Sequence, residues 1–141
     1  MNRSDLLAFL RSQKWAVEAT VSDAHAPQAA LIGFAVTDSF ELVFDAPEST
    51  RKINNLKVNP KVALVVGGWV DGDERTVQYE GVADLPAGKE LTELKSVYFT
   101  AFPKGRGREN TPGLVYVRVK PNWVRYSSFN GPSPETHEFY F

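Results

Sequence analysis

The chain opens on helical spacing and then changes period. Ser4 is placed to cap a short helix in which Leu6, Leu7, Phe9 and Leu10 form one apolar side, ending near Gln13. From Trp15 to Val21 the residues Trp15, Val17, Ala19 and Val21 alternate with Glu18 and Thr20, the pattern of a strand with one buried face. A turn over Ser22 to Pro27 leads into a strand from Gln28 to Val36, and Thr37, Asp38 and Ser39 turn the chain into another from Phe40 to Phe44. Ile53 and Leu56 are spaced for one face of a helix over Ser49 to Asn59, which Asn59 and Pro60 stop.

A strand pair follows, Lys61 to Val66 and Arg75 to Ala83, joined across Gly67, Gly68 and the Asp71-Gly72-Asp73 turn. Leu91, Leu94, Val97, Tyr98 and Ala101 predict a third helix over Gly88 to Ala101. A polar and glycine-rich loop, Lys104 to Asn110, precedes strands from Leu114 to Val119 and Trp123 to Ser128, with Pro121 between them. Seven candidate strands with only three short helices predict a mostly β fold, an antiparallel barrel or sandwich rather than a βαβ sheet. No repeat or break in composition divides the chain, so one domain over residues 1–141 is expected.

Composition narrows the setting. A domain of 141 residues buries about two thirds of its unfolded surface. Cysteine is absent, which excludes disulfides and thiolate metal sites and makes a reducing, cytoplasmic setting the default expectation. Sixteen basic against seventeen acidic residues leave a net charge of −1, so no global field attracts nucleic acid or an anionic membrane. The first residues lack the basic start and small-residue cleavage site of a signal peptide. Val62 to Val70, the longest apolar stretch, is broken by Gly67 and Gly68 and falls short of the roughly 20 residues that cross a bilayer. A soluble protein with neither a nucleic-acid nor a membrane partner is expected.

The chemistry is sparse. His25 and His137 have no partners at metal-ligand spacing, and no hydrolase elbow, phosphate-binding P-loop or dinucleotide fingerprint is present. No catalytic side chain stands out, so reactivity would have to come from a bound cofactor. One local anomaly remains at the second helix, where Arg51 and Lys52 occupy the first turn behind Ser49 and Thr50. Cations there oppose the helix dipole at about 0.3 to 1 kcal/mol each. An anion docked at the helix start would account for them, since free N–H groups, two hydroxyls, a guanidinium and an ammonium converge there. A solvated pair neutralised by Glu48 is the alternative.

The run Phe44-Asp45-Ala46-Pro47-Glu48-Ser49-Thr50-Arg51-Lys52-Ile53-Asn54-Asn55-Leu56-Lys57-Val58-Asn59-Pro60-Lys61-Val62-Ala63-Leu64 resembles the signature of the pyridoxamine 5'-phosphate oxidase-like FMN-binding split barrels. The similarity extends through Thr76 to Ala83 and, loosely, to Trp123-Val124-Arg125-Tyr126. It implies a split antiparallel β-barrel that forms a homodimer with FMN at the subunit interface. It also implies that Arg51 and Lys52 bind the FMN phosphate with Ser49 or Thr50 adding donors, that Asp45 and Ala46 lie beside the ribityl chain, and that Ala30, Leu31, Ile32 and Gly33 run along the isoalloxazine edge. Gln78, or Thr76, matches the polar position that approaches the flavin from the following strand. Trp123 either packs near the flavin from the partner subunit or belongs to the core.

The implied activity is that of an oxidoreductase passing electrons between a donor such as NAD(P)H and a small acceptor. A non-catalytic barrel that stores or senses flavin, deazaflavin or haem is the other reading. True pyridoxamine phosphate oxidases carry an arginine and a lysine where Ala30 and Phe34 or Ala35 stand here, and a longer basic end where this chain has the acidic Gly131 to Glu138. Vitamin B6 phosphate oxidation is therefore not expected. The cations of Lys104 to Arg108 either close over an anionic ligand, touch RNA phosphates or are solvated. The apolar Phe139, Tyr140 and Phe141 are expected against the barrel or a partner.

Overall fold

The computed structural model describes all residues, Met1–Phe141. Helix α1 (Arg3–Ser12) starts two residues earlier than a cap at Ser4 would set it: Asn2 accepts from the Asp5 N–H while the Asp5 carboxylate accepts from the Asn2 N–H, a closed capping box. Strand β1 (Trp15–Val21) pairs with β2 (Pro27–Gly33) on one side and β5 (Lys61–Gly67) on the other. The expected strand from Gln28 to Val36 is broken at Phe34. Its last two residues, Ala35–Val36, form β3 and pair with β4 (Leu42–Pro47) at the opposite end of the sheet. Phe34 thus carries the chain across the open side of the barrel, its N–H held by the Lys14 carbonyl.

The sheet has the order β2-β1-β5-β6-β7-β4-β3, every pair antiparallel, with β6 spanning Arg75–Asp84 and β7 spanning Leu114–Ser128. It curls until β2 and β4 approach each other across a seam with no ladder between them, which makes it a split barrel. The two strands expected on either side of Pro121 are one. A proline has no N–H for a ladder, and here the register shifts beside it: Glu80 faces Trp123 while Gly81 faces Pro121, so Asn122 is the extra residue of a bulge. The tail adds a strand the pattern did not predict, β8 (Glu135–Tyr140), along the same edge of β7 as β4. Phe139 packs against the core and Phe141 lies on Phe40 and beneath the Arg3 guanidinium, whereas Tyr140 is exposed.

The core has two parts, one on each face of the sheet. The barrel interior gathers residues of α1, α2 (Arg51–Val58) and most strands around Leu10, Phe44, Ile53, Leu64 and Tyr79. Across β3, β4 and β7, helix α3 (Gly88–Ala101) lays Leu94, Tyr98 and Phe99 on Ala35, Val43 and Tyr116.

The faces of β1 are reversed relative to its apolar alternation. Ala16, Glu18 and Thr20 point into the barrel, and Trp15, Val17, Ala19 and Val21 point out, Trp15 half exposed. Leu31 of β2 and Val65 of β5 join them through the cross-strand row Leu31–Val17–Val65–Gln78–Arg125–Glu138. Leu31, Val65 and Trp15 are 62%, 44% and 50% exposed, an apolar patch on the outer sheet face. No helix is long and apolar enough to cross a membrane.

Candidate functional site

The split organises the site. Ala30, Leu31, Ile32 and Gly33 line its β2 side and Asp45 and Ala46 its β4 side, and β4 runs on through Pro47 into the turn that opens α2. Thr50 is the N-cap residue of α2, yet its hydroxyl does not cap. It donates instead to the Pro47 carbonyl at 2.9 Å. The N–H groups of the first turn therefore keep their donors free, and no acidic side chain lies there. Glu48 does not neutralise the cations: its carboxylate meets Lys57 at 3.5 Å, and neither Arg51 nor Lys52 has an acid within ion-pair distance. Ser49 and Arg51 are exposed, Thr50 and Lys52 half-buried. Two cations without an ion-pair partner, the Ser49 hydroxyl and an open helix end thus lie side by side, the composition of a candidate anion site.

Beneath it lies a polar set that the sequence pattern hid. Asn55, one turn after Lys52, is buried; its Nδ2 donates to Thr20 Oγ1 at 3.0 Å and to Gln28 Oε1 at 2.9 Å, tying α2 to β1 and β2. Glu18, next to Thr20 on the inner face of β1, is 1% exposed and its Oε2 has no hydrogen-bond partner. Burial pushes this carboxyl up from its ordinary range, and Lys52 opposes the shift.

On the outer side of β4 the Asp45 carboxylate turns away from the seam toward α3. It lies 3.1 Å from Arg108 Nη2, an ion contact that leaves Oδ2 without a hydrogen bond. Tyr98 and Tyr116 crowd the same carboxylate. Burial and then Asp45 push the Tyr98 hydroxyl up to about 12, and the same two causes raise Tyr116, whose oxygen is also unpartnered. Only the backbone of Asp45 and Ala46 is therefore left for the seam. Lys104, Arg106 and Arg108 of the loop are all exposed; the loop is a 3₁₀ segment, Pro103–Arg108, with Gly105 buried, Arg106 over the Phe99 ring and Arg108 on Asp45. At the other end of that segment Phe102 covers Gly33, together with Trp15. A Cβ on Gly33 would stand 3.1 Å from Phe102 Cζ and 3.5 Å from Trp15 Cζ3.

Thr76, Gln78 and Trp123 are not brought to this seam. They stand on the outer face of β6 and β7, Gln78 in the row of Val65 and Arg125, Trp123 opposite Glu80 with its indole N–H toward Glu138. Trp123 is therefore not a core residue. Gln78 is three strands from Leu31 along its row, about 14 Å at ordinary strand spacing. His25 sits in the β1–β2 turn and His137 on β8 beside Glu135, both away from the seam. No group of three or more potential metal ligands exists.

Comparison with known proteins agrees with this architecture. The family model described as "Pyridoxamine 5'-phosphate oxidase" matches residues 4–128. A Saccharomyces cerevisiae pyridoxamine 5'-phosphate oxidase homolog is 30% identical over 92 residues, 57% of this chain and 46% of its own length. Among solved structures, a haem-binding protein from Mycobacterium smegmatis superposes with a TM-score of 0.81 at 15% identity, covering 99% of this chain and 59% of that one. A pyridoxamine 5'-phosphate oxidase-related, FMN-binding protein from Nostoc punctiforme superposes with a TM-score of 0.71 at 12% identity, covering 98% of this chain and 89% of that one. At such identities the structures share the fold, and the chain spans about half the length of the yeast relative it matches.

Proposed function

The chain belongs to the pyridoxamine 5'-phosphate oxidase family, and on that footing we propose that it is a homodimeric FMN-binding oxidoreductase. The observation that carries this reading is the open, doubly cationic start of α2 at the end of β4, where the acid next to it in sequence, Glu48, is engaged by Lys57. Its donor set fits a phosphate monoester: Arg51 and Lys52 supply charge, the free N–H groups direct hydrogen bonds, and Ser49 contributes a hydroxyl, that of Thr50 being given to Pro47. The backbone of Ala30 to Gly33 and of Asp45 and Ala46 would then flank the rest of the cofactor along the seam, with Phe102 and Trp15 excluding water at its far end.

Thr76, Gln78 and Trp123 would approach from the outer face of the partner subunit, whose apolar patch matches itself around a two-fold axis. Bound there, FMN would supply electron transfer between a donor such as NAD(P)H and a small acceptor, while this chain orients it and sets its surroundings. Enzymatic turnover, the homodimer and a cytoplasmic setting are parts of this proposal.

Flavin fluorescence titration tests it. Replacing Arg51 and Lys52 with alanine removes two charge-assisted contacts of roughly 1.5 to 3 kcal/mol each, so FMN affinity should fall at least about a hundredfold. Riboflavin, which lacks the phosphate, should bind weakly and nearly equally to both proteins. Equal losses for FMN and riboflavin, or an unaltered FMN affinity, would overturn the phosphate assignment. A purified protein that is red with a Soret band, rather than yellow and bleached by dithionite, would replace FMN by haem.

A further inference from the structure

Behind Lys52, on the inner side of α2, lies a buried acid for which the phosphate site has no use. Glu18 faces the barrel interior between Ala16 and Thr20 of its own strand, opposite Ala30 of β2 and Leu64 of β5. The polar groups around it are already engaged. Asn55 is spent on Thr20 and Gln28. Lys52 and Asn55 stand three residues apart on α2 and share the face that is pressed onto β1, while Glu18 and Thr20 share the strand face that receives it. The helix therefore brings Lys52 over Glu18. Lys52 is the only charged group acting on this carboxyl: the inward residues of β2 and β5, Ala30, Ile32, Val62 and Leu64, carry none.

One ammonium thus stands between two anionic claimants, a buried carboxylate with no hydrogen bond and any phosphate at the helix start. Resting on the phosphate reading of α2, we propose that Glu18 and a bound phosphate compete for Lys52, so that phosphate binding is accompanied by uptake of one proton onto Glu18. Without the anion, Lys52 is the charge that favours the ionised form of Glu18 against its burial. With the phosphate in place the ammonium is drawn to it, and an isolated carboxylate in this interior takes a proton from solvent and becomes the neutral acid. One O–H bond forms at Glu18 and none breaks elsewhere in the protein. The sign follows from linkage: a site that takes up a proton on binding loses affinity as pH rises, by up to about tenfold per pH unit where uptake is complete. Glu18 in this role does not touch the ligand. It sets how strongly Lys52 is available.

The test is calorimetric titration of the full chain with FMN at pH 7.5 to 8.5 in two buffers of different protonation heat. In that range FMN itself is already a dianion, its second phosphate pKa being about 6. The wild type should take up a measurable fraction of a proton per FMN, and E18Q, which cannot titrate, should take up none and lose less affinity with rising pH. Riboflavin should show no uptake with either protein. Carbon-13 NMR of the Glu18 carboxyl needs no variant and should place its titration at higher pH with FMN bound than without. Identical proton counts in wild type and E18Q, or a Glu18 signal indifferent to FMN, would overturn the competition while R51A/K52A still weakened FMN and left the phosphate site standing. An FMN affinity indifferent to R51A/K52A would overturn both.

Discussion

Arg51 and Lys52 stand where a helix ordinarily gains from aspartate or glutamate, and the neighbouring chemistry sharpens the contrast. Helix α1 closes its own start with Asn2 and Asp5, whereas α2 leaves its first turn open and puts its cap hydroxyl on Pro47. In the protein without ligand, each cation costs about 0.3 to 1 kcal/mol against the dipole, and alanine has the higher helix propensity. R51A, which leaves Lys52 facing Glu18, should therefore melt at the same or a higher temperature than the wild type in the absence of flavin; a clear drop would mean that Arg51 supports the fold. Glu18 yields a second prediction with a definite sign. Its carboxyl is raised in the folded state by burial, so between about pH 4.5 and that raised value the folded protein holds more proton than the unfolded chain. Stability is then fullest at acid pH and declines as pH rises through this window. E18L replaces the acid with a side chain suited to the row of Leu64, and at pH 8 it should be more stable by about 1 to 3 kcal/mol while lacking that decline. Urea midpoints across pH 4.5 to 8.5 decide it; a variant that is weaker at pH 8, or that shows the same slope, contradicts the assignment.

At the scale of elements, the bulge in β7 is where the fold is least forgiving. A Cβ on Gly81 would stand 2.3 Å from the Lys120 carbonyl oxygen and 2.9 Å from Val119 Cγ1, both fixed by the β6–β7 ladder. G81A should cost at least about 1 to 3 kcal/mol, seen as a lower urea midpoint with an unchanged slope; a neutral outcome would show that the bulge can shift. This feature also marks the limit of local reading. Alternation and turn residues located α1, α2, α3 and most strands to within a few residues, because those signals lie within the element itself. Pro121 looked like a break because a proline's missing N–H is visible in sequence, whereas the bulge that tolerates it is a property of two paired strands. β1 shows the same limit: alternation says that two faces differ, and which one turns inward was decided by the curl of the sheet and by α2, so Glu18 and Thr20 went in and Trp15 and Val17 went out. At the candidate site, Arg51 and Lys52 were legible because their wrong sign is a local fact. Glu18, Asn55 and Arg108 were not, since Thr20, Gln28 and Asp45, which give them meaning, are distant in sequence.

For the whole molecule, the reversed β1 is the feature that a single copy leaves unexplained. Trp15, Leu31 and Val65 lie on one outer face, each close to half exposed or more, at a place where solvent would favour polar residues. The proposed homodimer covers them, and because a two-fold interface presents the same patch from both sides, one substitution per chain enters it twice. L31E/V65E should leave the single chain almost as stable as before, within about 0.5 kcal/mol per site as for other surface positions. In a dimer the same change buries four unpaired carboxylates, each costing several kcal/mol, so light scattering at micromolar concentration should find dimers for the wild type and monomers for the variant. The flavin reading adds a second readout. Gln78 and Trp123 stand about 14 Å or more from the β2 side of the seam in their own chain, so they can reach a cofactor there only from the other subunit. The monomeric variant should therefore bind FMN more weakly although Arg51 and Lys52 are intact, and Q78A in the dimer should reproduce part of that loss. A wild type that is monomeric would remove the dimer. A monomeric variant with undiminished FMN affinity would leave the dimer standing and show that one chain completes the cofactor site by itself.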